Sequence, residues 1–400
     1  MYPPENNPFM NGKSVAEVAV VKGNDPYLSS LEAMKSVNIE SARGKSVLIK
    51  PNAGRVSTPG AGVTTDPRVV AAVIDAFKSH GAEVAVGESP ITGVEVMEAL
   101  EVSGIAAVAR ERKCPLLDMD KNGFDETVLP WGKAVSKIKV CSDVFRHDII
   151  VSVPVMKVHM HTGVTLSVKN MKGCLWKRSK VDLHMLPPLP DTEDKSLDTA
   201  IADMSGVLRP HLAVIDGTVG MEGLGPSAGT PRELGVVVVG SDPFAADAVA
   251  CSLMGKDAAG IPHLRIGAER GYGTIVADLI KVSPASWRSF AVDFEPPPKN
   301  LSIKFPNVNV LDRNSCSACQ STVLLFLQRY GKQIFDYFPD DMPLNIAIGK
   351  GHKDLPENTL CIGNCTAALG HRGIFVPGCP PVASAILKAV TRNNTEEESE

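Results

Sequence analysis

The sequence predicts an α/β fold, with a main domain built on a parallel sheet and a smaller C-terminal α/β domain. Two observations carry this. Short apolar runs alternate with longer helix-like segments along most of the chain, and a Pro-rich stretch, Asp293-Phe294-Glu295-Pro296-Pro297-Pro298, separates two such alternating regions. Length agrees: 400 residues make two or three domains at about 150 residues each, and 44% hydrophobic residues can give each a core.

Residues 1–43 read as a lead-in, in which Val18-Ala19-Val20-Val21 predicts an edge strand and Tyr27 to Val37 a helix. Ser46-Val47-Leu48-Ile49-Lys50 is a short continuous apolar run, the pattern of a strand covered on both faces. Asp66-Pro67 then opens a helix to His80, because an Asp side chain caps free N–H groups and proline fits the first turn. Glu83 to Val86 predicts the next strand, and Val94 to Arg112 one or two helices. The alternation resumes with a strand at Asp148 to Val153, a helix near Ser196 to Leu208, and strands at His211 to Asp216 and Leu234 to Gly240. A helix from Pro243 to Met254 follows, with Asp242 as its cap. The expected boundaries are an α/β domain over 44–285, a linker over 286–304, a smaller α/β domain over 305–391, and an acidic, unstructured tail over 392–400.

Charge and composition exclude several partners. Lys+Arg 41 against Asp+Glu 45 leaves a net charge of -4, without the basic field of a nucleic-acid or anionic-membrane binder. Aromatics at 5% are too sparse for base-stacking platforms, whereas 34 Gly and 30 Pro imply many backbone-lined turns. No apolar run reaches the roughly 18 residues of a membrane span, and Met1 to Asn11 lacks the pattern of a signal peptide. The expectation is a cytoplasmic protein with no nucleic-acid or membrane partner. Nine cysteines in a large chain without secretory signals argue against a disulfide framework and for metal or redox use of clustered thiols.

The cysteines are skewed. Cys316, Cys319, Cys361, Cys365 and Cys379 crowd into the last part of the chain, whereas Cys114, Cys141, Cys174 and Cys251 are scattered in the rest. Cys316-Ser317-Ala318-Cys319 precedes the helix-like run Thr322 to Phe335; Cys365 follows the strand-like Leu360-Cys361-Ile362 and opens the helix-prone Thr366 to Leu369. Cys379 follows the strand Ile374-Phe375-Val376 and precedes Pro380-Pro381 and a helix from Val382 to Val390. Thiolates at loop-to-helix junctions meet positive dipole ends and free N–H groups, which lower their pKa and suit an anionic 4Fe-4S cluster. Cys361, in mid-strand, reads as a buried apolar residue, leaving Cys316, Cys319, Cys365 and Cys379 as the ligand set. A structural zinc on Cys316, Cys319, Cys361 and Cys365 is the alternative, and it leaves Cys379 and its two prolines unexplained. The strings Ile362-Gly363-Asn364-Cys365-Thr366-Ala367 and Val376-Pro377-Gly378-Cys379-Pro380-Pro381 resemble the proximal-cluster domain of nickel-iron hydrogenase small subunits and of the small cluster-bearing subunit of respiratory complex I. That resemblance, over about 80 residues, implies one 4Fe-4S cluster on these ligands; the reading as a whole expects an electron-transfer role, a redox partner protein and an anaerobic or microaerobic source.

Three strings in the main domain point to a ligand site. Lys50 and Asn52 end the first strand and face Thr64 and Thr65 at a helix start, a crevice suited to an anion. From Val153 to Gly173 the chain packs Lys157, His159, His161, Lys169, Asn170 and Lys172 beside an apolar strand. So many polar groups are hard to satisfy unless they line a site. Lys157, His159 and Lys169 are the candidates for proton transfer and Asn170 for binding an anionic substrate. With His184 they form an alternative metal set, for which no carboxylate has matching spacing, and a solvated basic loop is the plain alternative. Asp216 to Pro226 is glycine-rich, so Gly223 and Gly225 predict an anion-binding nest; Asp247, one turn into its helix, is expected to face the same crevice.

Lys50-Pro51-Asn52, Thr64-Thr65-Asp66-Pro67, Lys157-Val158-His159 followed by Thr165 to Asn170, Met221 to Pro226 and Ser241 to Ala248 together resemble, in their order, the family called domain of unknown function 362. The resemblance covers about 44–285 and implies a fold and a site, with no reaction attached. Members are often joined to two-cluster ferredoxin-like modules, and this chain carries the single-cluster unit instead. The expected function is a 4Fe-4S oxidoreductase that passes electrons to or from an anionic small molecule. A lyase using the cluster as a Lewis acid, and an electron-transfer or assembly module that binds a partner protein, are the rivals.

Overall fold

Apolar runs become strands wherever both faces can be covered, and the amphipathic segments between them supply the cover. The computed structural model describes residues 7–10, 15–190, 192–297, 305, 307–315, 317–338 and 343–397, and the chain divides into two compact units, Met1–Pro297 and Pro298–Glu400.

The main unit begins with β1 (Ala16–Lys22), α1 (Pro26–Met34), β2 (Ser46–Pro51), α2 (Pro67–Ser79) and β3 (Glu83–Glu88). Next come α3 (Val96–Val102), α4 (Ile105–Glu111), β4 (Leu116–Asp118), a hairpin of β5 (Phe124–Val128) and β6 (Lys137–Cys141), and α5 (Ser142–Phe145). The chain continues through β7 (Ile149–Val153), β8 (Val155–His159), β9 (Gly163–Thr165), α6 (Ser167–Asn170), α7 (Ser179–Asp182) and α8 (Ser196–Ser205). It closes with β10 (Leu212–Glu222), β11 (Thr230–Gly240), α9 (Pro243–Leu253), α10 (Pro262–Glu269) and β12 (Ile280–Ser283).

The sheet runs β12-β1-β11-β10-β7-β2-β3-β4. From β10 to β4 all neighbours are parallel, and β11 runs against both β1 and β10. Side chains alternate between two cores. Leu48, Ile150 and Val238 join the α8 and α9 side, and Val47, Ile49 and Val151 pack under α2 and α4. Pro154, which has no N–H, breaks the line between β7 and β8, and its carbonyl accepts from Asp216 N at 2.8 Å. β8 then continues beside β10 and folds back on β9, so the edge strands of the site are antiparallel locally.

The C-terminal unit has β13 (Val308–Asp312), α11 (Ser317–Tyr330), β14 (Leu344–Ile348), β15 (Thr359–Ile362), β16 (Gly373–Val376) and α12 (Ala383–Glu397). Its four strands are parallel in chain order. Val323, Phe326 and Leu327 of α11, with Ile386 and Val390 of α12, cover one face through Ile346, Ile348, Leu360 and Ile362.

The α/β class is as expected, and several details differ. β1 is not an edge strand, because β12 pairs outside it; the stretch 15–43 is therefore part of the main sheet and its cover rather than a lead-in. The sheet is mixed, since β10 and β11 form a long antiparallel hairpin. The segment from 286 is packed before it becomes a connection: Trp287 and Phe294 are buried in the main core. The stretch opened by Cys365 is a 3-10 segment, Asn364–Arg372, and α12 runs on to Glu397 into the expected tail. Residues 398–400 lie outside the described residues. Among the described residues, no helix is long and apolar enough to cross a membrane.

Candidate functional site

In a parallel sheet the carboxyl ends of adjacent strands share one edge, where ligands of such folds bind. β2, β7 with its continuation β8, and β10 end together here, and the loops after them carry most of the polar residues singled out in the sequence.

The base of the site is a closed network. Lys50 is 1% exposed, and its Nζ lies 2.8 Å from Glu88 Oε1 and 2.9 Å from Oε2. The same amine donates to Pro51 O at 2.8 Å and to Asn170 Oδ1 at 3.2 Å. Glu88 accepts in turn from Ala53 N and Ser89 N. Asn170 donates to Lys50 O and Ser152 Oγ, and accepts from Asn52 Nδ2 at 3.1 Å. A buried ion pair of this kind survives because every lone pair and proton has a partner. Gly173 is required above it, since a Cβ there would stand 2.7 Å from both Nζ and Cε of Lys50.

Beside this base lie amines of a different kind. Lys157 Nζ donates to Asn52 Oδ1 at 2.9 Å and Val63 O at 2.8 Å, and pairs with no carboxylate among the described residues. Lys169 Nζ donates to Thr165 Oγ1 at 3.1 Å, and Lys172 Nζ meets His184 Nε2. Half-buried Arg55 has neither a hydrogen bond nor an ion pair among the described residues. Burial disfavours the charged form of each. It lowers Lys157 and Lys172 to about 7 and Arg55 to about 10, with neighbouring cations adding to the effect on the two lysines. Lys169 is pushed well below its ordinary value by burial, then by Lys172 and Lys157. His159 is likewise held neutral by burial and by Lys169. Its Nδ1 accepts from His161 N at 3.1 Å, so the ring proton sits on Nε2. One hydroxyl in this region, Thr64 Oγ1, is buried with no partner among the described residues.

The structure gives other predicted residues supporting tasks. Lys50, expected to bind substrate, has its amine held by Glu88 and Asn170. Thr65 donates to Val153 O at 2.6 Å and accepts from Asn52 N, which fixes the loop rather than a ligand. Asp247 does not face the crevice: it accepts from Ser167 N, Ser167 Oγ and Val168 N, and so anchors the start of α6, which carries Lys169 and Asn170. Burial raises it to about 7. Asp216 similarly holds Asp66 N and Thr218, and burial raises it to about 6. Gly223 and Gly225 form no nest. A Cβ on Gly225 would lie 1.8 Å from Val158 O, so this glycine lets the turn pack on β8; Gly223, at φ 70°, turns the chain after β10.

Sequence reading missed Glu88, Arg55 and a buried pair, His263 Nδ1 at 3.1 Å from Asp198 Oδ1. Burial outweighs Asp198 and keeps His263 neutral, with Nε2 lacking a partner among the described residues. Glu88 had a usable signal, since it ends β3 on the same sheet edge as Lys50; Arg55 lies in a loop with no pattern around it, and the His263–Asp198 pair is a contact across 65 residues with no local signature.

In the C-terminal unit the cysteine loops come to one sheet edge. Asn364 N donates to Gly378 O and Gly378 N to Asn364 Oδ1, both at 2.8 Å, which ties the turn before Cys365 to the turn before Cys379. A Cβ on Gly363 would lie 3.4 Å from Cys319 Sγ, so the first turn of α11 reaches the same place. Cys319 is buried, Cys379 half-buried and Cys365 exposed, and Cys316 lies outside the described residues. Cys361 belongs to the small core on the opposite face of the sheet from Cys319, and its thiol faces Leu369 O. Among the described residues no three Cys, His, Asp or Glu side chains close into a compact metal site. A single zinc needs its sulfurs about 2.3 Å from one ion, whereas a cubane holds its thiolates further apart around a larger body.

Residues 47–252, just over half of the chain, match the family model described as domain of unknown function (DUF362), and the chain belongs to that family. A thylakoid-associated protein of Synechocystis sp. is 26% identical over 236 residues, which cover 59% of this chain and 71% of that one. The lactate racemase apoprotein of Thermoanaerobacterium thermosaccharolyticum is 12% identical, with a TM-score of 0.40, over 62% of this chain and 58% of that one. A Thermotoga maritima protein is 11% identical, with a TM-score of 0.37, over 58% and 60%. The match therefore spans less than two thirds of either solved structure.

Proposed function

We propose that this member of the DUF362 family is an iron-sulfur oxidoreductase acting on an anionic small molecule bound in its main unit. The observation that carries the reading is the set of amines on buried Lys157 and Lys169 and half-buried Lys172, with no carboxylate to pair with them among the described residues. Burial pushes these amines toward the neutral form, an arrangement that structures tolerate where an anionic ligand restores the charge. In this reading Lys157 and Asn52 orient the anion, and Arg55 at the half-buried rim draws it in. Thr64 donates its unpaired hydroxyl. His159 donates from Nε2, and Lys169, neutral when the site is empty, is available to accept a proton from the substrate.

Cys316, Cys319, Cys365 and Cys379 would hold a 4Fe-4S cluster, which supplies one-electron redox chemistry when bound. The turns at Gly363 and Gly378 support this by bringing three of these positions to one edge. Protein purified without oxygen is expected to carry about four iron and four sulfide per chain and a reducible visible spectrum. Serine at any of the four positions is expected to lower the iron content, and serine at Cys361 to leave it unchanged. Iron-free protein whose thiols bind one zinc would overturn the reading. The depressed lysines also favour a second reading, a lyase in which proton transfer is the chemistry and the cluster stays at one oxidation level. Such an enzyme would keep its activity when the cluster is held fully oxidised, and an oxidoreductase would not.

A further inference from the structure

The geometry points to a substrate with two acidic groups, one held by Arg55, Lys157 and Thr64 and the other by Lys169 and Lys172. This rests on the reading that the main unit binds an anion, and extends it to the class of molecule.

The first argument is a charge count. Among the described residues, Arg55, Lys157, Lys169 and Lys172 have no carboxylate as a hydrogen-bond or ion-pair partner. The acidic side chains nearby are engaged elsewhere. Glu88 is held by Lys50, Asp247 by the start of α6, and Asp216 by Thr218 and Asp66 N; Asp198 is hydrogen-bonded to the neutral His263 and acts on Lys169 only from beyond hydrogen-bond distance. A single acidic group would leave most of these four side chains without a counter-charge, and a second reduces that to half of them.

The second argument is placement. Lys157 stands directly opposite Thr165 in the β8–β9 ladder, so their side chains leave the same face about 5 Å apart. Lys169 reaches back from α6 to Thr165 Oγ1, while Lys157 turns the other way, to Asn52 and to the carbonyl of Val63. The two amines are thus neighbours anchored to different elements, which makes two attachment points rather than one. Each has a companion. Thr64, next along the chain from the Val63 carbonyl, supplies a buried hydroxyl with no partner among the described residues, a group that a carboxylate or phosphate oxygen would satisfy. Lys172, with His184 at its amine, lies two residues beyond Asn170 on the Lys169 side. The depressed lysines add a signature: at pH 8 Lys157 and Lys172 are mostly neutral, so a ligand that charges them must take up protons from solvent.

The test is calorimetric titration of the full-length protein at pH 8 in buffers of different ionisation enthalpy. Matched pairs of probes separate the number of groups from their chemistry: butyrate against succinate, and methyl phosphate against phosphoglycolate. At least one two-group probe is expected to bind about 30-fold or more tighter than its single-group counterpart, the effect of one further charge-assisted contact, with net proton uptake. Lys169→Met is expected to remove that advantage and leave the single-group probe unchanged, and Lys157→Met to remove both. Unfolding midpoints of the variants check that they remain folded. Equal affinity for both members of both pairs, or equal weakening of both by Lys169→Met, would overturn the two-group assignment and leave the anion site standing. No binding by any probe would overturn both.

Discussion

Lys50 and Lys157 are both buried amines, one near the carboxyl end of β2 and the other on β8, which continues the neighbouring strand β7, and they have opposite surroundings. Around Lys50 the chain supplies a carboxylate, a carbonyl and an amide oxygen, and nothing is left over. Around Lys157 it supplies an amide oxygen, a carbonyl and more cations. A fold needs the first arrangement for stability, since a satisfied pair can be buried. It gains nothing from the second, so the second reads as a place kept for something else. The lesson is that burial of charge is uninformative by itself, and that the absence of a counter-charge is the signal of function.

The largest break in this comparison comes from turning the first surrounding into the second. Glu88→Gln leaves Lys50 buried without an anion and is expected to cost about 3–5 kcal/mol of unfolding free energy, read by denaturant titration. A loss under about 1 kcal/mol would mean that the pair is solvated. Gly173→Ala presses a methyl group onto the Lys50 amine, which its partners hold in place, and should cost about 1–3 kcal/mol; an unchanged midpoint would show that the amine can move aside.

The second surrounding has its own pH signature. Lys157 and Lys172 bind protons near pH 7 when folded and near 10.5 when unfolded, so between those values the unfolded chain holds more protons. Stability of the ligand-free protein should therefore rise from pH 7 to 9, by at most about 1.4 kcal/mol per pH unit for each amine. Above pH 9 the buried thiols of Cys141 and Cys174, raised to about 12, pull the other way. A flat or falling profile between 7 and 9 would show that the amines are already paired. The smallest expected effect on stability is that of Lys157→Met, which stays within about 1 kcal/mol of the parent at pH 7 or exceeds it while anion binding is lost. A large destabilisation would place Lys157 with Lys50 as a structural residue.

Much of the frame was legible in sequence because it rests on local rules. The apolar runs that became β2, β3 and β7, and the Asp-Pro starts of α2 and α9, each follow from residues within a few positions of one another. The polar string from Lys157 to Lys172 was visible for the same reason. Roles within it were not, because they depend on contacts between distant positions: Glu88 meets Lys50 across 38 residues, and His263 meets Asp198 across 65. Lys50 and Asp247 were expected to touch a ligand and are taken up by the fold. Gly225 was read as an anion-binding glycine and is needed for the approach of Val158 O. Glycine enables both kinds of contact, and only the tertiary structure distinguishes them.

The most direct test of the unpaired amines as an anion site is a crystal structure of the protein soaked in selenate, with anomalous scattering recorded at the selenium edge. The account predicts an anomalous peak within hydrogen-bond distance of Lys157 Nζ and Thr64 Oγ1, and its loss in Lys157→Met. Selenate found only on exposed lysines, with water between Lys157 and Thr64, would contradict it.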